Sequence, residues 1–187
     1  MLEAGGKLLS QLLAPPPRLL FRERQLEEAV RLLQSGSSFA VRGGLGVGKT
    51  TLVRMALSRT GVQHTYVECM FCRTYPCLRR RLRGAAGLVV LDDYSLAQRT
   101  PELVFLVSSL PLKVLVVHAG FSGEEIKGVR VIEMPPYAKE EISEILVERV
   151  VELGLRVGDE QVEACAAKGH KAGGNVRVAL LCLAGYL

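Results

Sequence analysis

No apolar run in this sequence reaches the roughly 20 residues that a bilayer-spanning helix requires. No small-residue cleavage site follows the leucine pairs of Met1–Ala14. Pro15-Pro16-Pro17 stands there instead, so the opening residues make a poor secretory signal and read as a short amphipathic helix with a proline stop. The five cysteines, at 69, 72, 77, 165 and 182, are odd in number. Without a signal peptide they argue against a disulfide framework and for a reducing interior, with the cytoplasm as the expected location. There is no internal repeat and no low-complexity tract. Membrane-spanning, disulfide-stapled and repeat architectures are thereby set aside.

What remains is the balance of a globular chain. Of 187 residues, 49% are apolar and 23% charged, enough for one sizeable core with or without a small satellite. The net charge of +5 is unevenly placed. Residues 1–100 carry 15 Lys and Arg against 7 Asp and Glu, whereas residues 101–187 carry 9 against 12. A chain polarised in this way can approach nucleic acid with its basic half.

Period-3.6 and continuous apolar patterns alternate along the first two thirds. Leu26, Ala29, Val30 and Leu33 mark a helix that Ser35-Gly36-Ser37-Ser38 ends. Strands are expected at Phe39–Val41, His64–Cys69, Gly87–Leu91, Val114–Val117 and Val129–Ile132. Helices are expected from Thr51 to Ser58 and, behind Thr100-Pro101, to about Leu110. Strands alternating with helices predict an α/β fold with a mainly parallel five-stranded sheet. After Pro135-Pro136 the strand signal disappears. A long helix stopped by Gly154, a second capped by Asp159 and a third capped by Asn175 predict a small all-helical subdomain. The domain boundary falls between 1–136 and 137–187.

Gly43-Gly44-Leu45-Gly46-Val47-Gly48-Lys49-Thr50 fits the G-x-x-x-x-G-K-[ST] pattern in full. Glycines let consecutive backbone N–H groups converge on phosphate oxygens, and the following helix, entered at Thr51, adds its positive end. Lys49 is expected on the β and γ phosphates of ATP or ADP, and the Thr50 hydroxyl on Mg2+. Leu88-Val89-Val90-Leu91-Asp92-Asp93 supplies a buried strand ending in two carboxylates. Asp92 is expected to hold Mg2+ through water, and Asp93 to orient or deprotonate the attacking water. Asp93 is also readable as a plain turn residue at a strand end.

These motifs, with polar His118 ending a further strand and an arginine in a three-helix lid, resemble an AAA+ P-loop ATPase. Further stretches resemble the archaeal origin-recognition initiator family: Arg22-Glu23-Arg24-Gln25-Leu26-Glu27, Tyr66-Val67-Glu68-Cys69 with Arg73-Thr74-Tyr75 and Leu78, Pro136-Tyr137 with Ile145-Leu146 and Arg149, and Gly173-Gly174-Asn175-Val176-Arg177. Together they cover residues 18–187. The resemblance implies His118 as a first sensor of the γ phosphate, Arg177 as a second sensor on the lid, and Tyr137 packed near the base. Strand-end hydrogen bonding, a surface arginine and an ordinary core tyrosine are the plain alternatives. Initiators carry a helical insertion between the second and third strands and a winged-helix domain. A short stretch joins Glu68 to Leu88 here, and no winged helix is expected within these residues. Arg99 and Arg130 are candidate arginine fingers by position.

Two clusters remain. Cys69-x-x-Cys72-x4-Cys77 has a zinc-like first pair but no fourth ligand nearby. Arg73, Arg79, Arg80, Arg81 and Arg83 form a basic run around Tyr75 that can track DNA phosphates weakly and without sequence preference, or face solvent or a partner subunit. The expected function is an initiator-like ATPase with slow turnover, assembling on DNA, on a second copy of itself or on another protein. A non-hydrolysing ATP-binding module and a signalling-type P-loop ATPase are the alternatives.

Overall fold

The computed structural model describes residues 9–187. The part of the N-terminal amphipathic helix expected over residues 1–8 lies outside the described residues; 9–13 are helical. Five strands, β1 (Phe39–Gly43), β2 (His64–Glu68), β3 (Leu88–Asp92), β4 (Lys113–His118) and β5 (Arg130–Met134), form one sheet in the order β2-β3-β4-β1-β5. Every neighbouring pair is parallel. Helix α1 (Glu23–Gln34) precedes β1, and α2 (Lys49–Thr60), α3 (Tyr75–Arg81) and α4 (Pro101–Ser108) connect the strands from β1 to β4. Helices α5 (Lys139–Glu152), α6 (Asp159–Lys171) and α7 (Val176–Ala184) follow the last strand.

Burial explains the apolar runs. All five residues of β3 and the first five of β4 are buried, as expected of central strands covered on both faces. The edge strands β2 and β5 are only partly buried. α4 is capped by the Thr100 side chain, which accepts from the Leu103 N–H at 3.3 Å, and Pro101 occupies its first turn. It stops at Ser108, where the buried Lys113 ammonium donates to the Val107 and Ser108 carbonyls. The expectation of a helix to about Leu110 overran this cap.

The chain resolves into two compact units. One comprises Arg22–Gly43 and Leu52–Met134; the other takes the residues up to Phe21, Gly44–Thr51 and Pro135–Leu187. Within the second unit the N-terminal segment is pinned to α5. The buried Arg149 guanidinium donates to the Leu12 and Ala14 carbonyls and to Glu152 at 2.8 Å, and Arg18 pairs with Glu148. No helix among the described residues is long and apolar enough to cross a membrane.

Two departures concern the segment between β2 and β3. It holds the seven-residue helix α3, which the arginine run obscured because that run has no apolar period. Cys72 and Cys77 are joined as a disulfide, where the odd cysteine count pointed to reduced thiols. The start of α3 folds the two Cα atoms to 5.5 Å, within disulfide reach, and the pairing takes two of the three thiols considered for a metal. Among the described residues no cluster of His, Cys, Asp and Glu is arranged to hold a metal ion.

The first unit also buries a carboxylate. Glu125, 1% exposed, accepts from the Tyr94 hydroxyl at 2.8 Å and from Arg99 Nε and Nη2 at 3.1 and 2.9 Å. Burial pushes its carboxyl up, but the Arg99 and Tyr94 bonds and a backbone N–H outweigh this and hold it below the usual range. Its contribution to stability is therefore present above the ordinary glutamate pKa and is lost as pH falls through the lower folded value. We expect Glu125→Gln to destabilise the protein by about 1 to 3 kcal/mol at neutral pH. The difference should shrink below roughly pH 4. Urea unfolding of both proteins at pH 7 and through the acid range checks this; a pH-independent difference would contradict it.

Candidate functional site

β1 delivers the chain to Gly43, and the phosphate loop begins at the next residue. Gly46 and Gly48 have φ of +68° and +92°, in the left-handed region that glycine enters without the Cβ penalty. Those two reversals turn the loop so that α2 can start at Lys49. Val47 is fully buried and anchors the loop, while Leu45 is exposed at its tip. The Lys49 ammonium, buried beside the loop, donates to the Gly44 carbonyl at 2.6 Å. Thr50 and Thr51 lie in the first turn of α2, partly exposed. Positive-φ glycines, backbone N–H groups and a helix start are the donor set that a polyphosphate fits.

The second unit joins this loop to the start of α7. The Val176 N–H donates to the Gly46 carbonyl at 3.2 Å. A Cβ on Gly46 would fall 1.8 Å from the Asn175 amide oxygen, which itself caps α7 by accepting from Val178 N–H at 3.2 Å. Only glycine at 46 permits this approach. Arg177 follows in the first turn of α7, exposed. Tyr137 is 2% exposed; its hydroxyl donates to the Leu20 carbonyl at 3.4 Å, and a Cβ on Gly174 would fall 2.3 Å from its backbone nitrogen. It is a core residue of this unit, which leaves a nucleotide-base role as a proposal.

In the first unit, parallel pairing puts Gly43, Glu68, Asp92 and His118 at the carboxyl ends of β1, β2, β3 and β4, with Gly43 in register with His118. The buried Asp92 carboxylate is held on both oxygens: Oδ1 accepts from the Asp93 N–H at 3.1 Å and Oδ2 from the Tyr66 hydroxyl at 2.7 Å. An oriented carboxylate of this kind suits a hard cation such as Mg2+. Asp93 adopts φ +52°, a left-handed conformation that aspartate tolerates better than most residues. It opens the short 3-10 turn Tyr94–Leu96, whose Ser95 hydroxyl accepts from the His118 N–H at 2.7 Å. The His118 ring is exposed, and its Nδ1 accepts from the Gly120 N–H at 3.4 Å.

Some side chains are engaged otherwise than their sequence positions suggested. Arg99 is committed to Glu125 and lies 5.2 Å from the Phe121 ring centre, and Arg130 pairs with Glu28 at 2.6 Å. Burial, with the Asp92 and Asp93 charges adding to it, pushes the Cys69 thiol up to about 12, so it stays protonated. Tyr66, Arg54 and Ser95 were not singled out from the sequence as site residues. Tyr66 entered only as part of a resembling stretch, with no role of its own, and an arginine on a helix and a serine in a turn carry no motif. Tyr66 could have been noticed as the residue two before Glu68, on the same face of β2, with Glu68 in register with Asp92.

No protein-family model matches the sequence, and no curated protein matches it. Solved structures do. The Holliday junction branch migration motor RuvB of Thermotoga maritima superposes with a TM-score of 0.69 at 16% identity, over 91% of this chain and 63% of its own. The chain thus spans under two thirds of that structure's length. A Walker-type ATPase of Pyrococcus abyssi superposes with a TM-score of 0.58 at 14% identity, over 94% of this chain and 76% of its own. At these identities the likeness establishes architecture alone: the chain shares with these structures a five-stranded all-parallel sheet flanked by helices with a helical C-terminal region.

Proposed function

We propose that the chain binds ATP with Mg2+ and hydrolyses it slowly, using the nucleotide state to control assembly on DNA or on a protein partner, in the manner of a replication initiator. The observation that carries this is the phosphate loop: positive-φ glycines at 46 and 48 between a buried strand and a helix starting at Lys49. On this reading Gly43–Thr51 hold the phosphates, Lys49 neutralises the β and γ oxygens, and Thr50 and Asp92 hold Mg2+. Bound Mg2+ would neutralise charge on the transferred phosphoryl group. Asp93 orients the water that attacks the γ phosphorus, while His118 and Arg177 sense the γ phosphate. Residues 137–187 act as the lid and Tyr137 lies near the base. The contact of Val176 with the Gly46 carbonyl gives the lid a direct means of responding to loop occupancy. A second reading, an ATP-binding module that does not hydrolyse, draws support from Asp93: aspartate reaches one methylene less far than the glutamate usual there.

Calorimetry with ATP and Mg2+ tests the first step. Lys49→Ala should abolish measurable binding, and equal affinities in the two proteins would remove the proposal. Turnover tests the second. Asp93→Asn keeps a side chain that accepts the left-handed backbone and removes the charge. It should lower hydrolysis by roughly 100-fold, the usual share of a positioned general base. An unchanged rate would take the water-orienting role away from Asp93, and no hydrolysis by the unmodified protein would favour the module reading.

DNA contact is proposed for α3. Arg79, Arg80 and Arg81 occupy its last turn, exposed, with Arg73 and Arg83 exposed on either side and Arg79 lying 6.0 Å from the Tyr75 ring centre. Such side chains neutralise phosphates and release counterions; they do not read base edges. Replacing Arg79, Arg80 and Arg81 with alanine should weaken binding equally for unrelated duplexes and flatten the salt dependence by about 3 in log–log slope. Anisotropy titrations over a salt series measure both. Tight binding to one duplex alone, or no binding to any, would contradict the assignment.

A further inference from the structure

We propose that Tyr66 is a positioning residue for the magnesium ligand Asp92, held in place by Arg54; this rests on the reading of Asp92 given above. The chain of contacts is continuous within one unit. Arg54 lies on α2, one helical turn beyond Thr50, and its Nη2 pairs with Glu68 at 2.8 Å at the end of β2. The same guanidinium lies 5.3 Å from the Tyr66 ring centre, and its Nε donates to the Tyr66 hydroxyl at 3.4 Å. The hydroxyl spends its one proton on Asp92 Oδ2, at 2.7 Å. β2 and β3 pair in register, with Glu68 opposite Asp92, and the Cys69 N–H donates to the Asp92 carbonyl at 2.8 Å. The Asp92 backbone is thus fixed by the sheet, and Tyr66 together with the Asp93 N–H fixes its carboxylate plane.

A carboxylate that approaches a cation through water must present a lone pair in a set direction, and a ligand free to rotate loses that orientation on each excursion. Partners that orient a metal ligand contribute about 10- to 100-fold to metal affinity. Arg54 gives this device a second end: it is exposed, on the helix that begins with Lys49 and Thr50, so a change at that helix reaches Asp92 through Tyr66.

The test is Tyr66→Phe, which keeps the ring and its contact with Arg54 and removes only the hydroxyl. Fluorescent ATP is titrated into each protein at stepped Mg2+ concentrations and in EDTA, with Asp92→Asn alongside. For Tyr66→Phe we expect the half-saturating Mg2+ concentration to rise by roughly 10-fold while affinity in EDTA stays unchanged. Mn2+ paramagnetic resonance should show a parallel loss of metal affinity in the nucleotide complex. If Asp92→Asn raises the Mg2+ requirement and Tyr66→Phe does not, the positioning role is overturned and the reading of Asp92 stands. If Asp92→Asn also leaves it unchanged, the reading of Asp92 fails and this proposal fails with it. A lower melting temperature for Tyr66→Phe with an unaltered Mg2+ requirement would make Tyr66 a structural residue only.

Discussion

Parallel strand pairing is the constraint on which the candidate site depends. In a parallel sheet all strands end at the same edge, and here the register sets Gly43 opposite His118 and Glu68 opposite Asp92. β3 from Leu88 to Leu91 and β4 from Val114 to Val117 are apolar and buried, so a slip of register would bury a carboxylate in the sheet or expose Val and Leu side chains. On these two strands the polar residues Asp92, Lys113 and His118 stand at the ends. Chemistry collects there because the core leaves no other place on the sheet for Asp92 and His118 to stand.

The polar groups that are buried behave as positioned struts. Glu125 is saturated by Arg99 and Tyr94, and Arg149 by two backbone carbonyls and Glu152. Each would be costly alone and is tolerable because its partners are complete. The Asp92 carboxylate follows the same rule with Tyr66 and the Asp93 N–H. Unlike Glu125 and Arg149, Asp92 stands at the carboxyl end of a central strand, the last residue of β3.

The central strands were legible as apolar runs such as Leu88–Leu91, the edge strand β2 by its β-branched and aromatic residues, and the phosphate loop because its glycines follow a fixed spacing. Element ends were less so: β1 and β4 run past the apolar stretch to Gly43 and His118, since hydrogen bonding continues where hydrophobicity stops. α3 was hidden behind consecutive arginines, and the Cys72–Cys77 bridge behind a cysteine count that says nothing about proximity. The pairings Tyr66–Asp92 and Arg99–Glu125 each span 26 residues. No periodicity encodes them, because they follow from which strand or turn comes to lie beside which.

A nucleotide seated in the phosphate loop would be held by the loop's backbone N–H groups, and hydrogen exchange reads those groups directly. With saturating ATP and Mg2+, the amides of residues 44–50 should exchange markedly more slowly than in the protein alone. The amide of Val176, bonded to the Gly46 carbonyl, should change with them. Loop amides that exchange at the same rate with and without nucleotide would contradict the assignment of this loop as the phosphate site.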